Sequence, residues 1–433
     1  MRDWASRLSH STFPLEKPGS PNESASLQQS GWRQTFSALR HYNFRLYFFG
    51  LLISVTGTWA QNVAQQWLVY ELTNSALVLG QVSFIMAIPV WILGPWAGVV
   101  IDRTPRRTVL LITQTVQMLQ AFALAALTFT GHIQVWHVMV LSAVRGVANA
   151  FDAPARQSFY VELVDREDLS NAIAMNSTLM SMGRVIGPSL GGIIVATLGT
   201  AWAFTINGIT FLAILISLLL MHLAMPLLKA PDQSPLADMK EGLSFIWQTR
   251  TIAALIVIAL AVALFGASFT VLLPIIAGDV LGMGEVAFGM LSAARGVGSL
   301  LGAVVVAYLS ARPRRGSYLN ILNFVLPLSL AAFGLSRSYP LSLFLLVIVG
   351  IGITPQLSLT NMLIQSYIPD AIRGRVMSVY TLVIFGTFPL GSLIAGAIAE
   401  GIGAPDAILI SAGAVLLVSI GLRLIVPELA KLE

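Results

Sequence analysis

Three arginines lie inside long apolar stretches of the sequence, where a charge needs a chemical reason. They are Arg145, Arg184 and Arg295. A cation near the middle of a bilayer costs at least about 2.5–3.5 kcal/mol on insertion scales, so such residues are candidates for function. Backbone carbonyls and amides would offset this cost permanently, whereas a titrating acid or a bound anion would offset it only part of the time. The sequence leaves these interpretations open for each arginine.

Amides and one carboxylate accompany the arginines. Asp152 lies two helical turns from Arg145 and joins the candidates for substrate binding or coupling. One group of amides lies at positions i, i+1, i+4 and i+5, which predicts a single stripe on a helix. The amide candidates are Gln61, Asn62, Gln65 and Gln66 in that group and Gln356, Asn361 and Gln365 in a later stretch. The alternative role for any one amide is hydrogen bonding between helices.

A tight cluster of charges separates two other apolar stretches. Its members are Asp102, Arg103, Arg106 and Arg107. Topology explains the arginines, because basic residues hold short loops in the cytoplasm. It does not explain Asp102, since acidic residues contribute little to that rule and the helix dipole disfavours a carboxylate at a helix C-terminus. We expect Asp102 to reach the helix N-terminus near Arg373 and Arg375 and to act as a conformational clasp. A purely topogenic loop is the alternative.

The elements that carry these residues are predicted to be membrane-spanning helices. The chain of 433 residues is 56% hydrophobic and 10% charged, with a mean hydropathy of +0.79. Its apolar runs are about 20–28 residues long, which favours helices over the shorter strands of a barrel. The predicted spans are residues 46–71, 76–101, 108–130, 135–158, 171–197, 201–224, 252–279, 285–309, 317–337, 340–367, 375–401 and 405–426. The predicted fold class is therefore an all-α integral membrane protein with twelve transmembrane helices.

A polar linker at 225–250 divides the chain into six-helix halves at 41–224 and 251–427. Residues 1–40 are rich in Ser, Pro and Gln and are expected to form a disordered cytoplasmic tail. Residues 428–433 form a second, short cytoplasmic tail.

The basic residues predict the orientation. With the N-terminus in the cytoplasm, three of the 25 Lys and Arg lie within spans and Arg337 alone lies in an outer loop. This asymmetry satisfies the positive-inside rule and places both termini in the cytoplasm. The net charge of +5 is therefore a topology signal and does not predict a nucleic-acid partner.

The two halves contain related segments. Four residues around the charged cluster recur 208 positions later, and Pro188 recurs as Pro389 after 201 positions. The four pairs are Gly94 with Gly302, Pro105 with Pro313, Arg106 with Arg314 and Arg107 with Arg315. Duplicated, pseudo-symmetric halves are typical of transporters that rock around a central site.

Two motifs resemble signatures of the major facilitator superfamily. The first, G-x-x-x-D-R-x-x-R-R, is similar to the loop between its second and third spans, although Pro105 replaces the usual glycine. The second, G-x-x-x-G-P-x-x-G-G, is similar to the fifth-span signature of its exporters. The matching residues are Gly98, Asp102, Arg103, Arg106 and Arg107 in the first motif and Gly183, Gly187, Pro188, Gly191 and Gly192 in the second.

This resemblance extends from about residue 40 onward, and the first and fourth spans look like the macrolide-efflux and enterobactin-exporter branch. It implies a twelve-helix exporter, and it implies a role in proton coupling for Arg145, which resembles the arginine of the fourth-span motif. The glycines have an independent physical meaning, because small residues four apart let helices approach closely in lipid. Together with the bend that Pro188 introduces, they predict a pivot between the halves. Ordinary tight packing is the alternative.

Enzymatic chemistry is not predicted. The sequence lacks a phosphate-binding G-x-x-x-x-G-K-[ST] motif and a G-x-S-x-G elbow. It also lacks cysteine, and its five histidines show no metal spacing. We therefore expect no enzyme activity, no cofactor and no metal site, and energy that comes from a gradient.

The sequence thus predicts a multi-pass transporter of the cell membrane. We expect a proton-coupled exporter of a small amphiphilic molecule, drug-like or siderophore-like, that works by alternating access. Its expected partners are that substrate, protons and the lipid bilayer, and we expect a monomer. The alternatives are an importer or uniporter of a small solute and a transporter-like receptor or scaffold that moves no substrate.

Overall fold

The computed structural model describes residues 36–222, 235–310 and 312–432. Of the predicted disordered tail, 1–35 lie outside the described residues, whereas Ser37–Arg40 form a short 3₁₀ helix. Ala38 is buried there, and its backbone N–H donates to Asn171 Oδ1 at 3.0 Å. The predicted tail was therefore wrong for residues 37–40, because these contacts hold the segment onto the helices.

Twelve long helices run back and forth through the described part of the chain. They are α1 (Tyr42–Thr73), α2 (Ala76–Arg103), α3 (Arg106–Phe129), α4 (Val135–Leu163), α5 (Leu169–Leu198), α6 (Thr200–Leu220), α7 (Arg250–Val280), α8 (Glu285–Ser310), α9 (Arg315–Leu335), α10 (Tyr339–Tyr367), α11 (Asp370–Ile402) and α12 (Ala404–Ile425). Each coincides with one predicted span, and the all-α membrane fold is confirmed. Ten are long and apolar enough to cross a membrane, whereas α1 and α4, which carry many of the polar candidates, are less apolar.

Matching turns join the last two helices of each half. Gly199 between α5 and α6 has φ +92°, and Gly403 between α11 and α12 has φ +91°. Glycine adopts this left-handed conformation without the steric cost that a Cβ would add. The same turn at the same place in both halves supports their common origin.

α7 is not a continuous α-helix, contrary to the uniform span that its hydropathy predicts. Val262–Gly266 and Ile276–Val280 are π-helical, and Ser268–Leu272 form a 3₁₀ helix between them. Irregular backbone at membrane depth is tolerated where it is covered by protein or faces a cavity. The distortion of α7 therefore points to the interior of the bundle.

The halves meet mainly through α2 against α11 and α5 against α8. We call the end where α1 begins and α12 ends the terminal end, and the opposite end the distal end. Contact is tight towards the distal end: a Cβ added to Gly80 would lie 2.6 Å from the backbone oxygen of Ser392. Towards the terminal end, a Cβ on Gly94, Gly98 or Gly374 would have no atom of the described residues within 4 Å. The halves thus converge at the distal end and separate towards the terminal end.

A linker helix, Pro235–Gln248, follows the first half. It packs on the start of α11, where a Cβ on Gly242 would lie 2.7 Å from the backbone oxygen of Arg375. The predicted linker therefore contains an ordered element that contacts the second half.

Candidate functional site

A cavity of about 490 Å³ lies between the halves at the centre of the bundle. Helices of both halves line it, and the irregular part of α7 forms part of its wall through Ala263, Ala267 and Thr270. All three candidate arginines face it: Arg145 from α4, Arg184 from α5 and Arg295 from α8. The structure thus brings together three charges that are far apart in sequence.

Among the described residues, Arg145 has one side-chain hydrogen-bond partner. Its Nη1 donates to Asn62 Oδ1 on α1 at 2.7 Å, and the residue is only 7% exposed. A guanidinium carries five N–H donors, so this single amide satisfies a small part of its hydrogen-bonding capacity.

Arg184 and Arg295 face each other's helices across the contact between α5 and α8. A Cβ on Gly296, next to Arg295, would lie 2.7 Å from the backbone oxygen of Arg184. The Arg184 guanidinium lies 5.7 Å from the centre of the Trp59 ring, a cation–π contact. Arg295 Nε is buried without an acceptor among the described residues. Within the described part of the chain, neither arginine is paired with a carboxylate.

The remaining walls combine uncharged polar groups with apolar side chains. No carboxylate lines the cavity among the described residues. The polar groups are Asn62, Gln65, Gln66, Ser83, Thr270, Ser292 and Ser392. Phe385, Phe388 and Trp59 are the aromatic residues of the lining. The site is therefore electropositive within a mostly apolar surface, which concentrates the field of the arginines.

Asp152, the carboxylate predicted to accompany Arg145, lies away from the cavity lining. It accepts hydrogen bonds from Thr113 Oγ1 at 2.9 Å and Gln114 Nε2 at 2.6 Å on α3. Its ion pair is with Arg156 Nε at 2.6 Å. Seven residues of helix separate Asp152 from Arg145 by about 10 Å along the axis. That separation places the carboxylate in a different layer, towards the terminal end.

The amide stripe of α1 divides between two environments. Gln65, Asn62 and Gln66 line the cavity, and Gln65 Nε2 also donates to Ser142 Oγ at 2.9 Å. Gln61 does not line it. Its Nε2 donates to Gln120 at 3.1 Å, and its Oε1 accepts from Asn207 at 2.6 Å. Positions i, i+1, i+4 and i+5 cover an arc of about 140°, which is too wide for all four amides to face one cavity.

The later amides lie outside the cavity lining as well. Gln356 is fully buried and donates to Asn323 Oδ1 at 3.0 Å. Asn361 accepts from Gln365 Nε2 at 2.5 Å on the same helix. Gln356 thus bonds between helices, the alternative that the sequence had left open, whereas the bond of Asn361 and Gln365 lies within α10.

Comparisons with known proteins identify the family. A family profile described as transmembrane secretion effector matches residues 33–433. The chain belongs to this family of the major facilitator superfamily. It is a membrane transporter of the efflux branch and not an enzyme.

Individual relatives are distant but similar in length. The multidrug efflux pump Tap of Mycolicibacterium fortuitum is 28% identical over 83% of this chain and 89% of its own length. The staphyloferrin A transporter of Staphylococcus aureus is 24% identical over 83% and 90%. Macrolide efflux protein A of Streptococcus pyogenes is 21% identical over 91% and 99%. The crystal structure of a NupG nucleoside transporter mutant superposes with a TM-score of 0.72 at 14% identity, covering 89% of this chain and all of that one, which supports the fold.

The signature loop of this transporter does not form the predicted clasp in this conformation. Within the described residues, Asp102 has no hydrogen-bond or ion-pair partner. Arg106 pairs with Glu162 on α4, and Arg107 Nη2 donates to the backbone oxygen of Leu219 at 2.9 Å. These contacts hold the loop to its own half. Glu162 was not among the predicted site residues, although its position at the end of the same half's fourth span was the available signal.

The other residues of the predicted clasp are engaged or exposed at the terminal end. Arg103 is exposed at the end of α2. Arg375 Nη1 pairs with Glu241 of the linker helix at 2.7 Å, and Arg373 lies two residues before it, in the first turn of α11. The N-terminus of α11 thus contacts the linker helix where the clasp would place Asp102.

The glycine signature of α5 packs mainly inside the first half of this transporter. A Cβ on Gly183 would lie 2.6 Å from Val55 of α1, one on Gly187 2.8 Å from the Thr56 oxygen, and one on Gly191 2.7 Å from the Ala60 oxygen. Gly192 and Pro188 instead contact the second half. A Cβ on Gly192 would lie 2.9 Å from Gly289 Cα of α8, and Pro188 also lines the cavity. Of the predicted pivot residues, Pro188 and Gly192 are therefore the two that adjoin the second half in this conformation.

Hydrogen bonds between the halves, which the sequence did not predict, close the distal end. Tyr70 Oη donates to Asp279 Oδ1 at 2.5 Å. Glu400 accepts from Ser75 Oγ at 2.9 Å and from the backbone N–H of Leu77 at 3.1 Å. Glu400 thus caps the N-terminus of α2, where the helix dipole favours a carboxylate. Acidic residues at the outer ends of the spans indicated that such bonds could form. The sequence did not show which donors these residues would face.

Proposed function

We propose that this transporter is a secondary exporter that binds a small amphiphilic molecule in the central cavity. The observation that carries the proposal is the position of the cavity between halves that touch at the distal end and separate at the terminal end. With the terminal end in the cytoplasm, as the basic residues predict, this arrangement is an inward-facing state that receives substrate from inside the cell. Rocking of the halves would then expose the cavity to the outside.

The named relatives support export. Two of them are an efflux pump and an efflux protein, and the third is a staphyloferrin A transporter. The alternatives are an importer or uniporter and a receptor or scaffold without transport.

Proton antiport is the proposed source of energy. The cavity lacks a carboxylate among its described residues, so a proton-carrying side chain is sought beside it. Asp152 is the candidate, because it is buried within the first half and bonded to donors of α3 and to Arg156. Protonation would weaken its pairing with Arg156 and so couple proton binding to the contact between α3 and α4.

The clasp belongs to the opposite conformation. Closing the terminal end would bring Asp102 towards the N-terminus of α11, where the helix dipole and Arg373 and Arg375 favour a carboxylate. Arg375 would then exchange Glu241 of the linker helix for Asp102. The open space around Gly98 in this conformation is the room that α2 needs for this approach.

Flux in reconstituted vesicles tests the proposal. Purified protein is inserted into proteoliposomes, and macrolides, siderophores and fluorescent dyes are followed with and without an imposed pH gradient. We expect flux that the gradient drives and that an uncoupler abolishes. Flux that does not depend on the pH gradient indicates a uniporter, and binding without flux indicates a receptor. In Asp152→Asn combined with Arg156→Gln, which leaves no unpaired charge, we expect flux that no longer follows the gradient.

A further inference from the structure

We infer that the substrate is an organic anion, an amphiphile with an apolar body and at least one carboxylate or comparable acidic group. This inference rests on the proposed function, since it names the class of molecule that the central cavity carries. It follows from the charges of the cavity, the lack of internal compensation for them, and the size and character of the walls.

Four arginines outside the cavity have the anionic partner that the three cavity arginines lack among the described residues. Outside the cavity, Arg156, Arg106 and Arg375 pair with carboxylates, and Arg40 pairs with Asp168 at 2.7 Å. Within the described residues, none of the three cavity arginines has a carboxylate partner. Among the described residues, the three central charges therefore lack the carboxylate partner that these four arginines have.

The uncompensated charge has a cost that a bound anion would remove. Three guanidinium groups carry fifteen N–H donors. The described side chains give them a single hydrogen bond, from Arg145 to Asn62. Arg184 rests on the Trp59 ring, which stabilises a cation without using its N–H donors. These donors remain available to an oxyanion, and guanidinium binds carboxylates through paired, charge-assisted hydrogen bonds.

The walls select an organic anion rather than an inorganic one. The volume of about 490 Å³ lies within the range of pockets that hold drug-sized ligands. Phe385, Phe388 and Val82 offer apolar contacts that a small hydrated ion could not use. A cation would meet three like charges, and a neutral amphiphile would leave the arginines uncompensated.

A single cysteine provides the assay, because the native chain has none. Ser292 lines the cavity one turn before Arg295 on α8, so Ser292→Cys places the only thiol inside the site. Its reaction with the neutral reagent N-ethylmaleimide is measured in detergent-purified protein. Three probes with the same naphthalene body compete: 1-naphthaleneacetate, 1-naphthaleneacetamide and 1-naphthylmethylamine. They differ mainly in being anionic, neutral and cationic.

We expect the acetate to protect the thiol at a concentration about tenfold lower than the amide or the amine, since one charge-assisted contact exceeds a neutral one by about 1.4 kcal/mol. In Ser292→Cys with Arg295→Gln, this advantage of the acetate should fall severalfold. Arg295→Lys keeps the charge, so most of the advantage of the acetate should remain in that variant. It also provides the test if the Gln variant folds poorly. Arg423→Gln is the matched control, because Arg423 lies outside the cavity and stacks on Phe324 at 5.7 Å.

Equal protection by the three probes, stronger protection by the amine, or no protection by the acetate would overturn the inference. The protection assay does not require transport, so it separates this inference from the proposed function. Selective protection by the acetate in a protein that shows no flux refutes export and leaves the anion site standing. Gradient-driven flux of cationic dyes without protection by the acetate refutes the anion site and leaves export standing.

Discussion

Replacing Arg145 by Gln distinguishes a structural from a functional arginine, because the two roles predict opposite changes. The variant loses the hydrogen bond from Nη1 to Asn62 at 2.7 Å. A hydrogen bond that involves a charged group contributes about 1.5–3 kcal/mol. Removing a charge from the middle of the bilayer relieves about 2.5–3.5 kcal/mol. The net change in folding stability therefore lies between about −0.5 and +2 kcal/mol in favour of the variant.

Transport by Arg145→Gln should nevertheless fall. Loss of one charge-assisted contact to an anionic substrate lowers flux at subsaturating substrate about 10- to 150-fold. The expected combination is thus a melting temperature close to or above that of the parent with a large loss of transport. Both are measured on the same preparation, by thermal unfolding in detergent and by flux in proteoliposomes.

The matched variants are Arg145→Lys, which keeps the charge and should retain part of the flux, and Arg423→Gln, which should retain all of it. A purely structural arginine would give the reverse pattern, with a lower melting temperature and normal flux per folded molecule. Unchanged flux with unchanged pH dependence would remove Arg145 from the site and leave Arg184 and Arg295.

Three further predictions concern the terminal end. Asp102→Asn should lower transport while expression and insertion stay near those of the parent; parental transport would reduce the loop to a topology signal. Thr104→Cys should react with an impermeant thiol reagent in inside-out vesicles and stay unlabelled in intact cells, and labelling in intact cells would reverse the proposed orientation. Hydrogen bonds from Ser37 and His41, with the nearby Arg40 charge, hold the pKa of Asp168 below its usual range. This contribution to stability is present above the ordinary carboxyl pKa of about 3.9 and is lost as pH falls through the lower pKa of the folded state. After correction for the intrinsic pH dependence of amide exchange, the hydrogen-exchange protection of Ser37–Arg40 should therefore fall at low pH in the parent and be low at all pH values in Asp168→Asn.

Hydropathy was sufficient to predict the helices because each span buries its own backbone hydrogen bonds in lipid. It carried no information on the π-helical and 3₁₀ segments of α7, since Val262–Gly266 and Ser268–Leu272 are as apolar as a regular helix. The positive φ of Gly199 and Gly403 was equally absent from the pattern of apolar residues. These features depend on which neighbour each helix meets.

The arginines of the cavity could be predicted because a membrane charge is costly wherever it lies along the chain. Their neighbours could not be, because helical phase decides which side chains share a face. Gln61 and Gln65 differ by only one turn, yet Gln61 bonds to Gln120 while Gln65 faces the cavity. Asp152 shares the phase of Arg145 and differs in depth, which residue type alone does not specify. Trp59 has no polar signature that marks it as the support of Arg184.

The bonds at the distal end have a consequence for how salt acts on this transporter. Each joins a carboxylate to an uncharged donor: Asp279 to the Tyr70 hydroxyl, and Glu400 to Ser75 and the Leu77 N–H. Counter-ions screen attraction between opposite charges at a surface, with a Debye length of about 8 Å at physiological ionic strength. They weaken a bond from a neutral donor much less. The proposed closure of the terminal end, by contrast, joins Asp102 to arginines. Rising ionic strength should therefore weaken the closure of the terminal end and leave the bonds of the distal end nearly unchanged. The resting equilibrium between the two conformations should then shift with the salt content of the medium.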